Sequence, residues 1–486
     1  TVLLLYYIGI NCNKKNYSYY LLIFSSLIFY GFWNINYVLL LVFSIIFNFR
    51  ISKLLFQNKN PKFFLVSGIL VNLLIIIYCK YTFFLVDQLN SVFYSDFKIE
   101  SIILPLGISF FTFQQISFLS DQYKNRKLNY SFKDYFLYIT FFPQLIAGPI
   151  VRHNQFIPQL AIDRSNDTFK FLCIGSSFFA FGLAKKVLIA DNLSPIVNES
   201  FNPNSLESLN FFSAWIGAIC FTFQIYFDFS AYSDMAIGIA MLFGFNLPIN
   251  FNSPYKSRSI IEFWRKWHIT LSEFLKDYIY IPLGGNRGKK ARIFTNLFIT
   301  MFLGGLWHGA SWTFIIWGLF QGLLLSINHT WRSSRLSNKI EYLLMYKIMT
   351  WMITYFCIVV GWVIFRSHST SHAFEYLKVM TFSNGILFPD RWKLQLSDFF
   401  QNFLSFSPDI DLNKNHLLIG LFLFAFVLII PNTNQILDYL KQDYDKESKN
   451  ILKWKPKIIY GIILGLVSGI SIVSISTERE FIYFQF

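Results

Sequence analysis

Runs of apolar residues about as long as a bilayer is thick recur from one end of this chain to the other, and no soluble core needs that pattern. A helix takes roughly 20 residues to cross about 30 Å of hydrocarbon. Candidate spans lie at residues 21–33, 37–49, 63–85, 102–119, 135–150, 172–190, 349–365, 417–430 and 458–475, with double-length runs at 211–245 and 298–327. Composition agrees, since 54% of the 486 residues are hydrophobic, only 14% are charged and the mean hydropathy is +0.44. The expected fold is all-α and multi-pass, with about 11 to 13 membrane helices, some short or re-entrant. Thr1 opens directly on Val2-Leu3-Leu4-Leu5, without the basic segment or small-residue cleavage site of a secretory signal. That reads as a first span shortened at its start.

The net charge of +15 is placed for topology and not for nucleic acid. Lys and Arg gather in short loops: Arg50, Lys53, Lys59 and Lys62; Lys124, Arg126 and Lys127; Arg332, Arg335 and Lys339; and Lys441 to Lys457. The positive-inside rule puts those loops in the cytoplasm, where some of the charge also meets anionic lipid headgroups. Nothing basic occurs between Lys186 and Lys256, so the acidic stretch 191–210, with Glu199 and Glu207, is expected outside as a loop. The cysteines Cys12, Cys79, Cys173, Cys220 and Cys357 form no CxxC pair and read as small core residues.

Within the 298–327 run, Gly304-Gly305-Leu306-Trp307-His308-Gly309-Ala310-Ser311-Trp312 carries an imidazole flanked by glycines, with no carboxylate nearby. An ionisable side chain at membrane depth is costly and marks a functional site by default. Residues 256–292 are too polar to span yet rich in aromatics. Trp264, Trp267, His268, Leu271 and Leu275 fall at helical spacing on one face, which predicts an amphipathic helix at the membrane surface. The loop that follows, Pro282 to Lys290, frees its backbone with Gly284, Gly285 and Gly288 and brings cations together. It lacks phosphate-loop spacing, and both a phosphate cradle and an ordinary cytoplasmic turn fit it.

Four segments together resemble the membrane-bound O-acyltransferase family: FFPQLIAGPIVRHNQFIPQL (141–160), IYFDFSAYSDMAIGIAMLFGFNLPINFNSPY (225–255), FWRKWHITLSEFLKDYIYIPLGGNR (263–287) and GGLWHGASWTFIIWG (304–318). Within it the chain is most similar to the bacterial alginate O-acetyltransferase membrane subunits and their peptidoglycan-acetylating relatives. PLGISFFTFQQISFLSDQY (105–123) and the terminal FIYFQF (481–486) fit the same branch. The resemblance covers most of the chain and is strongest over 105–325. It implies one membrane domain over 1–486, with N-terminal helices at 1–100, a catalytic core at 101–330 and C-terminal helices at 331–486. The implied fold is a ring of tilted helices around a central funnel.

The resemblance also implies roles. His308 takes the position of the family's intramembrane histidine, and His268, in Trp264-Arg265-Lys266-Trp267-His268, its second polar catalytic position, Asn or His. Donor or acceptor contacts are implied for Trp264, Arg265, Trp267 and Trp307, for Lys276, Asp277 and Tyr278, and for Gly284, Gly285, Asn286 and Arg287. Asp228, Ser230, Asp234 and Asn252 are expected to line the cavity, the two aspartates paired or solvated. Gln144, Gly148, Pro149 and Arg152 resemble a family turn in the cavity wall. The implied donor is acetyl-CoA, with no bound cofactor and no metal.

A thioester is already activated, so the site chiefly needs a base and an oxyanion donor. His308 suits the base, since burial keeps an imidazole neutral. His268 could orient it, bind the oxyanion or relay the proton, and a transient acetyl-imidazole on His308 stays open. His368 and His372 stand four apart, a zinc-like spacing lacking further ligands. His153, His329 and His416 read as structural. The outer segment 367–415, with Phe374, Tyr376, Phe388 and Trp392, could dock the partner the resemblance implies, an extracytoplasmic SGNH-type acetyltransferase that modifies the polysaccharide acceptor. The expected location is the bacterial inner membrane, among its lipids. A D-alanyl transferase subunit of teichoic acid synthesis shares the two histidines, and a transporter or flippase would show internal repeats, which are not seen here.

Overall fold

A computed structural model of the protein describes residues 1–12, 14–100, 102–125, 130–145, 148–202, 204, 206, 209–334, 342–381, 387–389, 405–407, 414–437 and 457–475. Arg126, Lys127, Glu207, Arg335, Lys339, Trp392, the basic stretch from Lys441 to Lys455, most of the outer segment and the terminal FIYFQF motif lie outside the described residues. The architecture is α-helical, apart from a short parallel pair, Leu387–Pro389 against Ser405–Ser407.

Among the described residues, five helices are long and apolar enough to cross a membrane: Ile35–Gln57, Pro61–Phe93, Thr168–Ser200, Phe211–Leu242 and Leu344–Arg366. Their ends follow from local chemistry. Asn34 separates Lys15–Trp33 from Ile35–Gln57 and its side chain accepts the Asn36 N–H, while Pro61 begins the next helix, where its missing N–H costs nothing. Other apolar runs form shorter helices, such as Val2–Asn11, His416–Ile429 and Ile458–Val473. The 211–245 run is a single 32-residue helix, started by an Asn210–Ser213 capping box and stopped near Gly244, whose φ is +77°.

The expected outer loop 191–210 is corrected: Asp191–Ser200 continues the helix that began at Thr168, through a π turn at Lys185–Ala190. That helix lies close along Phe211–Leu242. A Cβ on Gly182 would sit 2.7 Å from the Ala231 carbonyl, and one on Gly238 2.7 Å from that of Gly175, so backbones meet where side chains are absent. Ion pairs reinforce the contact. Lys185 Nζ lies 2.7 Å from Asp234, and Lys186 Nζ lies 2.7 Å from Asp228 and 2.9 Å from Asp191.

The 298–327 run is two helices, Lys290–His308 and Trp312–Arg332, folded against each other. Gly305 and Gly318 make the approach possible, because a Cβ on the first would lie 2.3 Å from the Phe314 carbonyl and one on the second 2.4 Å from that of Met301.

The continuous surface helix expected over residues 264–275 is also corrected. Ile260–Trp264 ends, the chain turns through His268 at φ +42°, and Ile269–Leu275 begins anew. Trp264, Trp267 and His268 are buried inside the protein and present no apolar face outward. The helical period is present, but packing against Trp362, Trp317 and Phe251 draws these rings inward.

Candidate active site

His308 is the last residue of Lys290–His308 and is 5% exposed. Its helix stops because Gly309 turns extended and Ser311 caps the next helix through the Thr313 N–H. A helix end leaves carbonyls without intrahelical partners. Here Lys80 Nζ donates to the carbonyls of Trp307 at 2.7 Å and of His308 at 2.9 Å, and the Tyr81 hydroxyl donates to that of Leu306. Both donors come from the π turn Ile77–Tyr81, and a cation at a helix C-terminus also complements the helix dipole. Rings of Trp307, Trp317 and Phe365 surround the imidazole, with centroids 4.8, 5.1 and 5.1 Å away.

His268 reaches the same place from the other side. It is fully buried, its ring edge-on to Phe229 at 4.7 Å and 5.6 Å from Trp307, so Trp307 touches both imidazoles. The left-handed backbone at His268 is rare outside glycine, although His adopts it more readily than most residues, and it turns the ring inward. Asn250 supports that turn. Its carbonyl accepts the Ile269 N–H at 2.9 Å, and its Oδ1 faces His268 Nδ1 at 3.1 Å, the Thr270 N–H at 3.2 Å and the Thr270 hydroxyl at 3.0 Å.

The other expected residues divide. Trp264 donates to Gln321 Oε1 at 3.2 Å, and Trp267 stacks on Phe263, both walling the histidine pocket. Arg265 and Lys276 are exposed. Asp277 pairs with Arg152 at 2.7 Å, while Tyr278 donates to Asp121 at 2.7 Å. His153, fully packed, lies 3.1 Å from the same carboxylate. Burial works against the Asp121 charge, but the bonds from His153 and Tyr278 together outweigh it and hold the carboxyl below its usual range.

Gly284, Gly285 and Gly288 all have positive φ, so the loop needs its glycines. Its carbonyls are taken by its own chain, Arg292 donating to Leu283 and Asn296 to Gly285, and Tyr280 donates to Asn286. Arg287, Lys289 and Lys290 in the same loop are exposed. The loop sits at the far end of the helix that finishes at His308, about 27 Å along the axis at 1.5 Å per residue. Asp228, Ser230 and Asp234 are bonded to Lys185 and Lys186, as the expectation of paired aspartates required, and Asn252 accepts from Asn432. His368 and His372 have ring centroids 5.7 Å apart, and no third metal ligand joins them among the described residues.

Sequence reasoning missed Lys80, Tyr81 and Asn250. Lys80 could have been found, since it is an ionisable residue in the apolar run 63–85, the same criterion that singled out His308. Asn250 had no such signal, because its side-chain partners are seventeen and more residues away.

Membrane-length helices packed around two buried imidazoles define the class as a multi-pass membrane enzyme. The family model for membrane-bound O-acyltransferases matches residues 18–371. The chain is 38% identical over 395 residues to the peptidoglycan O-acetyltransferase of Helicobacter pylori, covering 75% of this chain and 74% of that one. It is 39% identical over 393 residues to the "Probable alginate O-acetylase AlgI" of Pseudomonas aeruginosa, covering 78% and 72%. With the teichoic acid D-alanyltransferase of Streptococcus thermophilus it shares 26% over 251 residues, covering 49% and 60%. The chain belongs to the membrane-bound O-acyltransferase family and is an acyltransferase.

Proposed function

We propose that this enzyme takes acetyl groups from cytoplasmic acetyl-CoA and passes them across a bacterial inner membrane for O-acetylation of an envelope or extracellular polysaccharide. One observation carries the reading: His268 and His308, from separate elements, meet around Trp307 in an apolar pocket, with the His308 helix end anchored by Lys80 and Tyr81. The relatives named for peptidoglycan and alginate support a polysaccharide acceptor of one of those kinds. Exposed Arg287, Lys289 and Lys290, at the other end of the His308 helix, suit the phosphates of the donor on the cytoplasmic face.

His308, neutral in its apolar surroundings, accepts the proton of the acceptor hydroxyl while that oxygen bonds to the thioester carbon. The carbonyl oxygen becomes an oxyanion, the intermediate collapses, the C–S bond breaks, and the departing thiolate takes the proton from the imidazolium. In the covalent variant the imidazole attacks first and carries the acetyl group. A burst of CoA ahead of acceptor acetylation separates the two. On this reading the acceptor hydroxyl is that of an extracytoplasmic SGNH-type acetyltransferase, which then hands the acetyl group on to a hydroxyl of the polysaccharide.

The test is label transfer from radiolabelled acetyl-CoA to envelope glycan in membranes containing the chain, with and without His308→Ala. Transfer should fall to background in the variant, and undiminished transfer would sink the assignment. Label carried by a D-alanyl thioester but not by acetyl-CoA would move the enzyme to the teichoic acid branch.

A further inference from the structure

The donors and acceptors gathered on Asn250 and Thr270 decide where the His268 proton sits. The Thr270 backbone N–H can only donate, and it lies 3.2 Å from the Asn250 side-chain amide, so the atom facing it is the amide oxygen. The Thr270 hydroxyl, which accepts the Ile150 N–H at 3.0 Å, lies 3.0 Å from the same oxygen and, facing an acceptor, gives it its own proton. The Asn250 amine is turned the other way, donating to Ser233 at 3.4 Å. His268 Nδ1, 3.1 Å from that oxygen, has an acceptor before it and must carry a proton. In a neutral ring the other nitrogen, Nε2, is then a bare lone pair. That Nε2 is buried and has no hydrogen-bond partner among the described residues.

We infer that Asn250 is a positioning residue that fixes the tautomer of His268, keeping Nε2 unprotonated in the pocket where Trp307 touches both His268 and His308, so that His268 relays the acceptor's proton toward His308 and does not donate to the oxyanion. The inference rests on the acyl-transfer reading for its consequence but not for its geometry. Three facts make the arrangement specific. The oxygen is saturated by three donors, the amide cannot flip without facing two N–H or O–H groups with its own N–H, and the left-handed turn at His268 holds the ring and residues 269–270 against one asparagine.

The proton position can be read without turnover. The full chain, labelled with ¹⁵N-histidine and placed in lipid bilayers, is examined by solid-state NMR, and the His268 signals are identified by their loss in His268→Gln. The proton should be on Nδ1 in the native protein and in Asn250→Asp, which keeps an acceptor oxygen. In Asn250→Leu it should move wholly or partly to Nε2. A native protein with the proton on Nε2, or an Asn250→Leu ring unchanged from native, overturns the inference. Because the native spectrum alone can refute it, a misfolded Asn250→Leu does not rescue it.

Acetyl transfer supplies the second readout. Asn250→Leu should lower kcat about 100-fold, in the range lost with one acid–base group, and leave KM for the donor unchanged. Asn250→Asp should retain transfer with a displaced pH profile. The proton on Nδ1 together with full transfer by His268→Gln would overturn the role of His268. Loss of transfer in His308→Ala and not in His268→Gln would do so while leaving the acyl-transfer reading intact.

Discussion

Replacing Lys80 with methionine tests whether the His308 helix end is held from outside. The ammonium makes two charge-assisted hydrogen bonds, to the carbonyls of Trp307 and His308. Hydrogen bonds to charged groups contribute about 1.5–3 kcal/mol each, so the pair is worth about 3–6 kcal/mol. Methionine fills a similar stem volume but donates nothing, and the two carbonyls are left at a helix end that Gly309 already interrupts. Tyr81 still holds Leu306, one turn back at most, so the helix should stay formed while its last residues loosen. A displacement of about 1 Å at a reacting group costs on the order of 100-fold in rate. Lys80→Met should therefore lower kcat by about that factor with little change in donor KM, and Lys80→Arg, which keeps a cationic donor, should recover part of it. The assay is label transfer by purified protein in proteoliposomes, normalised to the folded fraction from fluorescence size-exclusion. A folded Lys80→Met protein with native kcat would refute the reasoning, and so would equal losses in Met and Arg variants.

Gly305→Ala and Gly318→Ala should each separate the hairpin, because the added methyl would meet a backbone carbonyl at 2.3 and 2.4 Å; overpacking costs about 1–3 kcal/mol or more, seen as a fall in detergent melting temperature that Gly420→Ala, with open space around it, should not produce. Asp121 has a depressed folded-state pKa, so its contribution is present above the ordinary carboxylate value near about 4 and is lost as pH falls through the lower folded value. Melting temperatures measured between roughly pH 3 and pH 7 should fall at the acid end for the native protein and show a weaker acid dependence in Asp121→Asn. At His268 the left-handed backbone favours Asn or Gly and opposes β-branched residues, so His268→Asn should be more stable than His268→Val by about 1–2 kcal/mol, seen as a higher melting temperature, and the reverse order would show that the turn does not demand that conformation.

The membrane class was legible because hydrophobic length is a property of the chain itself, and His308 stood out because an imidazole in an apolar run is expensive wherever it ends up. What the pattern could not convey was direction. Trp264, Trp267 and His268 repeat at helical spacing, and one period fits both a surface helix and two short helices joined by a left-handed turn. Only the aromatic surfaces of Phe251, Trp317 and Trp362, brought from distant segments, make the second arrangement the lower in energy. The same holds for Asp228 and Asp234. Their charge demanded partners, but Lys185 and Lys186 reach them through a π turn that shifts the register of one helix along another, which no local signal announces. Lys80 is the instructive case. It carries the signal that marks His308, yet the run 63–85 around it reads simply as a span, although its ammonium ends up on the very helix terminus where His308 stands. Polar residues in apolar runs therefore need to be considered as pairs: the cost of burying one is a reason to look for the other, and here the search from His308 leads to a lysine more than two hundred residues earlier in the chain.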